Sequence, residues 1–307
     1  MKIIDRIADS LSSPTSLDEN TFERLFSQLS SKKDSIKNGA IINIAKAEFI
    51  DPYGMVGLLE IGWYLKKESD IIPILILPQL TDVLKYLERM DFLEKAGNVF
   101  EIDTSTIKIE DRFLRSRHSD VLLEITKIEG TDDIHTIVDR VKQRAETILK
   151  TNLNYDTQAI DSFIVALSEI CQNIPEHSQS AGYVGIQRYL YEKRLGKYVV
   201  KIAVMDLGIG IKDSLTHKYS SRYKDWSDLE AIRLALFEGA SRYDDIGRGH
   251  GLTNVRKLVQ KWGGKFMIRS GTAKLGIVPE WDTTKPQQSA LSFFPGTQIS
   301  IILPEIS

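Results

Sequence analysis

The chain has 307 residues, of which 42% are hydrophobic and 27% are charged, and its formal net charge is −2. Such a length holds about two domains of ~100–200 residues, and the composition is that of a globular protein rather than a disordered one. Because the charges nearly balance, we expect no broad basic surface for nucleic acid or anionic lipid.

Cysteine usage and hydropathy predict the compartment. The sequence holds a single cysteine, Cys171, and no Cys/His cluster with zinc spacing. Residues 1–10 lack the basic-then-apolar profile of a signal peptide. The longest apolar run, residues 71–77, is far shorter than the ~20 residues of a membrane helix. We therefore expect a soluble cytoplasmic protein with no membrane contact.

Strands and helices alternate in the N-terminal third. The pattern predicts helices over 21–30, 55–67 and 81–90 and strands over 40–50 and 71–77. Alternation at this spacing is typical of an α/β domain, which we place at residues 1–110. The stretch that follows is weakly patterned, and we interpret residues 111–130 as a linker.

The C-terminal half predicts a second α/β domain, residues 131–307. Helices are expected over 132–150, 157–178 and 252–262, and strands over 182–191, 197–206, 265–270 and 297–303. Pro175 is expected to end or kink the second of these helices. The elements suit a mixed sheet with helices on one face, an α/β sandwich.

The helix over 132–150 carries a narrow apolar stripe. We expect this stripe to pack within its own domain, while its near-heptad spacing leaves a homodimer helix as the alternative. The stripe consists of Ile134, Ile137, Val138, Val141, Ala145, Ile148 and Leu149.

Two acidic or amide side chains on the next helix form the first candidate site. Glu169 and Asn173 are one helical turn apart and lie off the apolar stripe of that helix. A carboxylate and an amide so placed could hold a water and a Mg²⁺ ion against a triphosphate, since Mg²⁺ prefers hard oxygen ligands and takes few from the protein. Taken alone, the pair is better explained as a solvated polar face.

A second candidate segment, residues 206–211, directly follows an apolar strand. Asp206 could accept a hydrogen bond from the exocyclic amine of adenine, and Gly208 and Gly210 would let the backbone approach the base and ribose. A tight turn with Asp as the turn former explains the segment equally well.

A third, glycine-rich segment opens the last predicted helix. Glycines at a helix N-terminus expose backbone N–H groups where the dipole favours anions, which suits phosphate. A flexible surface loop is the alternative, because a lone glycine triplet is a weak signal. The segment consists of Gly247, Arg248, Gly249, His250, Gly251 and Leu252.

In order, spacing and context, the three segments together resemble the GHKL ATPase superfamily over about residues 130–307. Glu169 and Asn173 resemble its N box, residues 206–210 its G1 box and residues 247–251 its G2 box. The resemblance implies a Bergerat-type site for ATP and Mg²⁺, with Glu169 as general base, Asn173 as metal ligand and Asp206 as adenine reader. It further implies nucleotide contacts from Gly208, Gly210, Ile211, Arg248, Gly249, His250, Gly251, Leu252 and Thr297.

The same resemblance implies that residues 212–246 form an ATP lid. His177 lies where anti-sigma-factor kinases often carry a basic residue, and it would have a minor supporting role. Candidate phosphate contacts are Lys212, Lys218, Lys224, Arg242 and Arg248, of which we favour Arg248.

Residues 40–100 resemble a STAS domain, the fold of anti-sigma-factor antagonists, through their apolar pattern and the turn from Asp51 to Gly54. In that family the phosphorylated Ser follows the Asp, whereas this sequence has Pro52, which carries no hydroxyl. The resemblance therefore implies a docking, dimerisation or regulatory module, with any phosphorylated target on another chain.

Two classes of function stay open. The first is a regulatory Ser/Thr protein kinase or slow ATPase switch of the partner-switching type, with a STAS-domain protein or another regulator as partner. A gyrase-like ATPase is disfavoured because only ten residues follow Thr297, and a sensor histidine kinase because His135 lacks that family's flanking residues. The alternative is a non-catalytic module or scaffold in which ATP orders the lid and switches a protein surface.

Overall fold

The computed structural model describes residues 9–69, 71–104, 121–191, 195–242 and 251–306. The chain divides into two compact units, Met1–Ser119 and Asp120–Ser307, and each has its own sheet. Within the described ranges, no helix combines the length and the apolar character that crossing a membrane requires.

The N-terminal unit is built on a parallel sheet. Its strands are β1 (Asp9–Ser12), β3 (Ala40–Asn43), β5 (Ile74–Ile76) and β6 (Glu101–Asp103), which neighbour each other in that order. A separate parallel pair joins β2 (Ser16–Leu17) and β4 (Phe49–Ile50). The helices are α1 (Glu23–Ser31), α2 (Pro52–Glu68), α3 (Thr81–Arg89) and α4 (Phe92–Ala96). The unit therefore has the α/β architecture that the alternation predicts.

Local side-chain hydrogen bonds set two boundaries differently from the prediction. The strand predicted over 40–50 is two strands, because Oδ1 of Asn43 accepts the N–H of Ala45 at 3.0 Å and turns the chain. The helix predicted from Met55 begins at Pro52, because Oδ1 of Asp51 accepts the N–H of Gly54 at 3.0 Å and caps it. Proline suits the first helical turn, where its missing N–H would have no helical partner.

In the described ranges of the C-terminal unit, seven strands form one sheet. The strands, in chain order, are β7 (Val121–Ile128), β8 (Gly182–Tyr191), β9 (Lys197–Asp206), β10 (Lys265–Gly271), β11 (Ala273–Ile277), β12 (Gln287–Gln288) and β13 (Phe294–Pro304). Their order across the sheet is β12-β11-β10-β13-β9-β8-β7.

The helices of this unit pack on the sheet through one core. They are α5 (Thr131–Ala145), α6 (Thr151–Leu153), α7 (Thr157–Asn173), α8 (Gly210–Tyr219), α9 (Asp228–Arg233) and α10 (Gly251–Lys261). π-helical turns follow α5, α7 and α9, at Glu146–Lys150, Ile174–Ser178 and Leu234–Glu238. Phe163 of α7 shares the core with Val204 of β9 and Ile268 of β10. The predicted α/β sandwich is confirmed.

The apolar stripe of α5 belongs to the same core. Ile134 and Ile137 are buried within it, as are Val141 and Ala145. The expected packing of this stripe within its own domain is therefore confirmed, and the stripe is not an open face for a homodimer.

Each described pairing in the C-terminal sheet is antiparallel, which corrects the predicted mixed sheet. For two of these pairings the reason is a short connection: β9 is the next element after β8 in the chain, and Thr272 alone separates β10 from β11. A short hairpin can join only antiparallel strands, since a parallel pair needs a long crossover.

The edge strand β7 lies in the segment interpreted as a linker, residues 111–130. Its residues, VLLEITKI, do not alternate between apolar and polar. Its pairing with β8 changes register twice, so no regular two-residue period exists in the sequence. This is why the pattern did not reveal the strand.

Candidate functional site

A cavity of about 300 Å³ lies in the C-terminal unit, at the lower end of the volume range of small-molecule sites. It brings together residues of the three candidate segments: Glu169 and Asn173 on α7, Asp206 at the end of β9, and Gly251 at the start of α10. Other residues predicted for the site that line it are Gly210, Ile211, Leu252, Thr297, His177 and Arg242.

Asp206 forms the strand-built end of this cavity. It is 6% exposed, and its neighbours across the sheet are Gly182 on β8 and Thr297 on β13. Burial raises the pKa of its carboxyl group to about 7, although hydrogen bonds from the backbone N–H groups of Gly208 and Thr297 lower it. When ionised, this carboxylate is a hydrogen-bond acceptor with no competing donor of its own.

Gly208 hydrogen-bonds the carboxylate of Asp206 through its backbone. Its N–H donates to Oδ1 of Asp206 at 2.8 Å. A Cβ atom at this position would lie 2.1 Å from the carbonyl oxygen of Ser178, which accepts the N–H of Ile209 at 3.0 Å. Gly208 therefore packs closely against Ser178 and is not among the described residues that line the cavity, so its predicted contact with the nucleotide stays a prediction.

Glu169 faces the start of α10. A Cβ atom on Gly251 would lie 3.6 Å from the Cβ of Glu169, so the two segments meet at ordinary van der Waals distance. Burial raises the pKa of Glu169, and a hydrogen bond with Asn254 lowers it. A carboxylate with a raised pKa is a stronger base than a solvated one, which suits proton abstraction near neutral pH.

Asn173 offers an unsatisfied polar group. Its Nδ2 atom is buried and has no hydrogen-bond partner within the part of the chain that the structure describes. An unpaired buried donor costs about 1–3 kcal/mol, and the Oδ1 atom of the same amide is the one that could ligate a cation.

The helix widens from an α-helical to a π-helical turn where α7 ends. Pro175 has no N–H to continue the α-helical ladder, and the π turn Ile174–Ser178 follows Asn173. This turn places Glu176 and His177 along the cavity, where Arg242 donates to the carbonyl oxygen of Glu176. π-helical turns occur frequently at functional sites.

Comparison with protein families identifies the unit that holds this cavity. Residues 159–306 match the family described as histidine kinase-, DNA gyrase B-, and HSP90-like ATPase. The C-terminal unit carries a GHKL-type ATPase domain. The match extends from α7 to β13 and so includes the described lining of the cavity. No curated protein matches the chain significantly.

Part of the glycine-rich segment of the ATPase domain belongs to the described residues. Gly247, Arg248, Gly249 and His250 lie outside the described residues, so their predicted phosphate contacts stay predictions. From Gly251 onward the chain is helical, and Oγ1 of Thr253 donates to the carbonyl of Leu236 at 3.2 Å. This bond ties α10 to the π turn after α9.

The segment expected to form the lid contains two helices. Most of α8 and all of α9 fall within residues 212–246. Leu215 of α8 is 2% exposed, and Asp228 of α9 accepts the N–H and the hydroxyl of Thr272 at 2.9 and 2.6 Å. Both helices are therefore anchored to the domain, and residues 243–246 lie outside the described part.

Of the described cations expected to contact phosphate, some line the cavity and others do not. Arg242 lines the cavity, whereas Lys212, Lys218 and Lys224 are not among the lining residues. Lys224 is exposed, and Lys218 lies 5.7 Å from the centre of the Tyr219 ring.

The sequence did not single out Ser270 or Asn254. Oγ of Ser270 accepts the N–H of Ile211 at 3.0 Å and donates to the carbonyl of Gly296 at 2.9 Å. A small polar residue inside an otherwise buried strand was the available signal, but the sequence does not show which loop such a hydroxyl meets.

Proposed function

We propose that the ATPase domain binds Mg·ATP in this cavity, with adenine at Asp206. The observation that carries the proposal is the buried carboxylate at the end of β9, held by two backbone N–H groups. Ionised, it would accept the exocyclic amine of adenine in a charge-assisted hydrogen bond worth about 1.5–3 kcal/mol. Guanine would present a carbonyl at the same place, so the site favours adenine.

At the other end of the cavity, where α7 ends and α10 begins, the residues are suited to binding the phosphates of the nucleotide. Asn173 would supply one ligand to Mg²⁺, which takes most of its other ligands from phosphate and water. Bound there, Mg²⁺ neutralises charge on the phosphate oxygens. No group of three or more His, Cys, Asp or Glu side chains in the described ranges could hold a metal ion, which agrees with a site that uses one amide. Arg242 and the N-terminus of α10 would add donors to the phosphates.

Glu169 is the residue that would perform chemistry. Its carboxylate would take a proton from a water molecule or from the hydroxyl of a Ser or Thr substrate as that oxygen bonds to the γ-phosphorus of ATP and ADP leaves. With water as the phosphoryl acceptor, the protein is a slow ATPase switch. With a Ser or Thr hydroxyl as the acceptor, it is a regulatory Ser/Thr protein kinase of the anti-sigma-factor type.

The N-terminal unit supports a regulatory role. Its parallel α/β architecture and its Asp51-capped helix agree with the STAS-like interpretation. Pro52 occupies the first turn of α2, and Tyr53 is 3% exposed with its ring centre 5.9 Å from that of Phe22. We therefore propose that this unit docks a partner and that a phosphorylated target lies on another chain, in the cytoplasm.

One observation favours the non-catalytic alternative. The hydrogen bond with Asn254 lowers the pKa of Glu169 and so makes its carboxylate a weaker base. If this carboxylate is too weak a base for proton abstraction, ATP would act only as a ligand that switches a protein surface.

The test is thermal unfolding with ATP, ADP and GTP, with and without Mg²⁺. A ligand at a hundredfold excess over Kd stabilises the native state by about 2.7 kcal/mol, which corresponds to about 5–10 °C for a unit of this size. We expect adenine nucleotides to raise the midpoint and GTP to leave it unchanged.

Two variants make this test specific. Asp206→Asn should abolish the shift by ADP, while Asp213→Asn, at an exposed position on α8, should keep it. An unchanged midpoint at millimolar ATP and ADP would refute the nucleotide site.

A further inference from the structure

The strand β13 carries two extra residues beside Asp206. Ser270 of β10 faces Thr297 and Gly271 faces Phe294, so residues 295 and 296 have no partner on β10 and form a bulge. Gly296 has a φ of +75°, which favours glycine. A Cβ atom on Gly296 would lie 1.9 Å from the backbone oxygen of Asp206 and 2.8 Å from its Oδ1. The bulge therefore packs directly against the carboxylate.

Two buried polar side chains hold this bulge from the reverse face of the sheet. Arg269 and Gln298 are paired across β10 and β13, and each is 1% exposed. Because successive side chains of a strand alternate between faces, both lie opposite Thr297, which lines the cavity. Nε2 of Gln298 donates to the carbonyl of Pro295 at 2.8 Å, inside the bulge.

Arg269 connects the chain segments around the bulge. Its Nη1 donates to the carbonyl of Gly271 at 3.2 Å and to Oε1 of Gln298 at 3.4 Å, and its Nη2 donates to the carbonyl of Ser292. A planar guanidinium with five donors can order several carbonyl groups at once. The segment that enters the bulge and the strand opposite it therefore share one partner.

We propose that Arg269 is a positioning residue for the nucleotide site, acting from the reverse face of the sheet through residues 295–296 on the carboxylate of Asp206. The inference rests on the function proposed above, since Asp206 must read the base. Ser270 holds Gly296 from the cavity face, so the bulge is fixed on both sides. Arg269 itself is not among the lining residues and acts without touching the ligand.

Three variants test the proposal. Arg269→Met keeps a long side chain but removes every donor, and Arg269→Lys keeps the charge without the planar fork. The matched control is Lys265→Met, which removes a 0% exposed cation from the same strand and face whose Nζ bonds Oγ1 of Thr284 at 2.6 Å.

The Kd of each variant that has the native circular-dichroism spectrum is measured by titration calorimetry. Weakening one charge-assisted hydrogen bond predicts a rise of about tenfold in the Kd for both ADP and adenosine in Arg269→Met. Arg269→Lys should be intermediate, and Lys265→Met should lose stability but keep its Kd within about twofold, since the pocket is unaltered. An unchanged Kd in folded Arg269→Met would overturn the proposal.

Gln298→Ala replaces Arg269→Met if that variant does not fold, because it removes the hydrogen bond to Pro295 and the one from Nη1 of Arg269 but keeps the bonds from Arg269 to Gly271 and Ser292. We expect a rise of about threefold in the Kd for ADP, because the bulge loses its bond to Gln298 while the guanidinium still holds the segments on either side. A Kd equal to that of the wild type would again overturn the proposal.

A measurement without nucleotide separates this inference from the proposed function. The chain has 20 glycines, so selective ¹⁵N-glycine labelling gives a resolvable spectrum. We expect the Gly208 and Gly296 amide signals to move in Arg269→Met (or Gln298→Ala) and not in Lys265→Met. If they move while the wild type binds no adenine nucleotide, the proposed function fails, and what stands is that Arg269 positions the bulge beside Asp206. If neither signal moves, the positioning role is wrong.

Discussion

The two ends of the cavity are built in different ways. The end proposed to hold the base, called the base end, is made of strands, where Asp206 of β9 is paired with Thr297 of β13 and supported by a bulge. The opposite end is made of helix termini and a π turn, where Glu169 and Asn173 meet the start of α10. Strand pairing leaves little freedom of position, whereas helix ends and turns can adjust to a ligand. We infer that the base end is preformed and that the phosphate end carries the chemistry.

The largest effect expected from this division is on catalysis at the helical end. Glu169→Gln should lower the rate of ADP formation by about 10²–10⁴-fold, because removal of a general base has that effect. The Kd for ADP should stay within about twofold, since Asp206 still holds the base. The measurements are steady-state product release and titration calorimetry.

Glu176→Gln is the matched control for this change, because Glu176 lines the same cavity. Its rate should stay within about threefold of the wild type, as for a residue that makes no contact unique to the transition state. Equal losses in the two variants would remove Glu169 from the role of base. No turnover in the wild type would favour the interaction module.

A second effect concerns the stability of the strand-built end. The pKa of Asp206 is about 7 in the folded protein, against an ordinary value of 3.8. Between these values the folded state holds a proton that the unfolded chain has released. The stabilisation is therefore fully present below pH 3.8 and is lost as the pH rises through about 7, by up to about 4 kcal/mol in total.

Urea unfolding of the wild type and of Asp206→Asn between pH 5 and pH 8 measures this pH-dependent loss of stability. The free energy of unfolding of the wild type should fall relative to the variant as the pH rises, because asparagine does not titrate. A difference that is constant with pH would show that the carboxylate is solvated, and the base end would then not be the dry, preformed site inferred above.

The smallest effect expected is on phosphate recognition. Arg242→Gln should weaken ATP binding by about tenfold, because one charge-assisted hydrogen bond is lost, and leave adenosine binding unchanged. Arg222→Gln, at an exposed position, is the control. If ATP and adenosine weaken equally, Arg242 serves the fold through the carbonyl of Glu176 rather than the phosphates.

The helical end was the easier one to predict. The i, i+4 spacing of Glu169 and Asn173 and the break at Pro175 are local features, and the helix observed from Thr157 to Asn173 follows the predicted pattern closely. Strands β8 and β9 also match their predicted bounds, because their apolar runs are long and end at clear turn residues. Local periodicity is sufficient wherever one element contains the whole signal.

The sheet topology and the lining of the cavity were harder to predict. Thr297 meets Asp206 only through the register of β13 on β9, and Arg269 reaches the same place from the opposite face. The sequences of the irregular strand β7 and of the helices within the expected lid show no regular hydrophobic period. Pairing between distant strands is decided by the packing of the whole core, which no local window contains.

The sequence by itself determined the helices α5, α7 and α10 and the strands β8, β9, β10 and β13, together with the residue types of the candidate nucleotide site and their order along the chain. Those properties follow from periodicity, helix spacing and turn chemistry, which act over a few residues. Only the tertiary structure decided that Asp206 is buried with a pKa near 7 and that Gly296 packs against it. Desolvation and close approach depend on what surrounds a residue, and the neighbours of Asp206 lie up to 91 positions further along the chain, at Thr297.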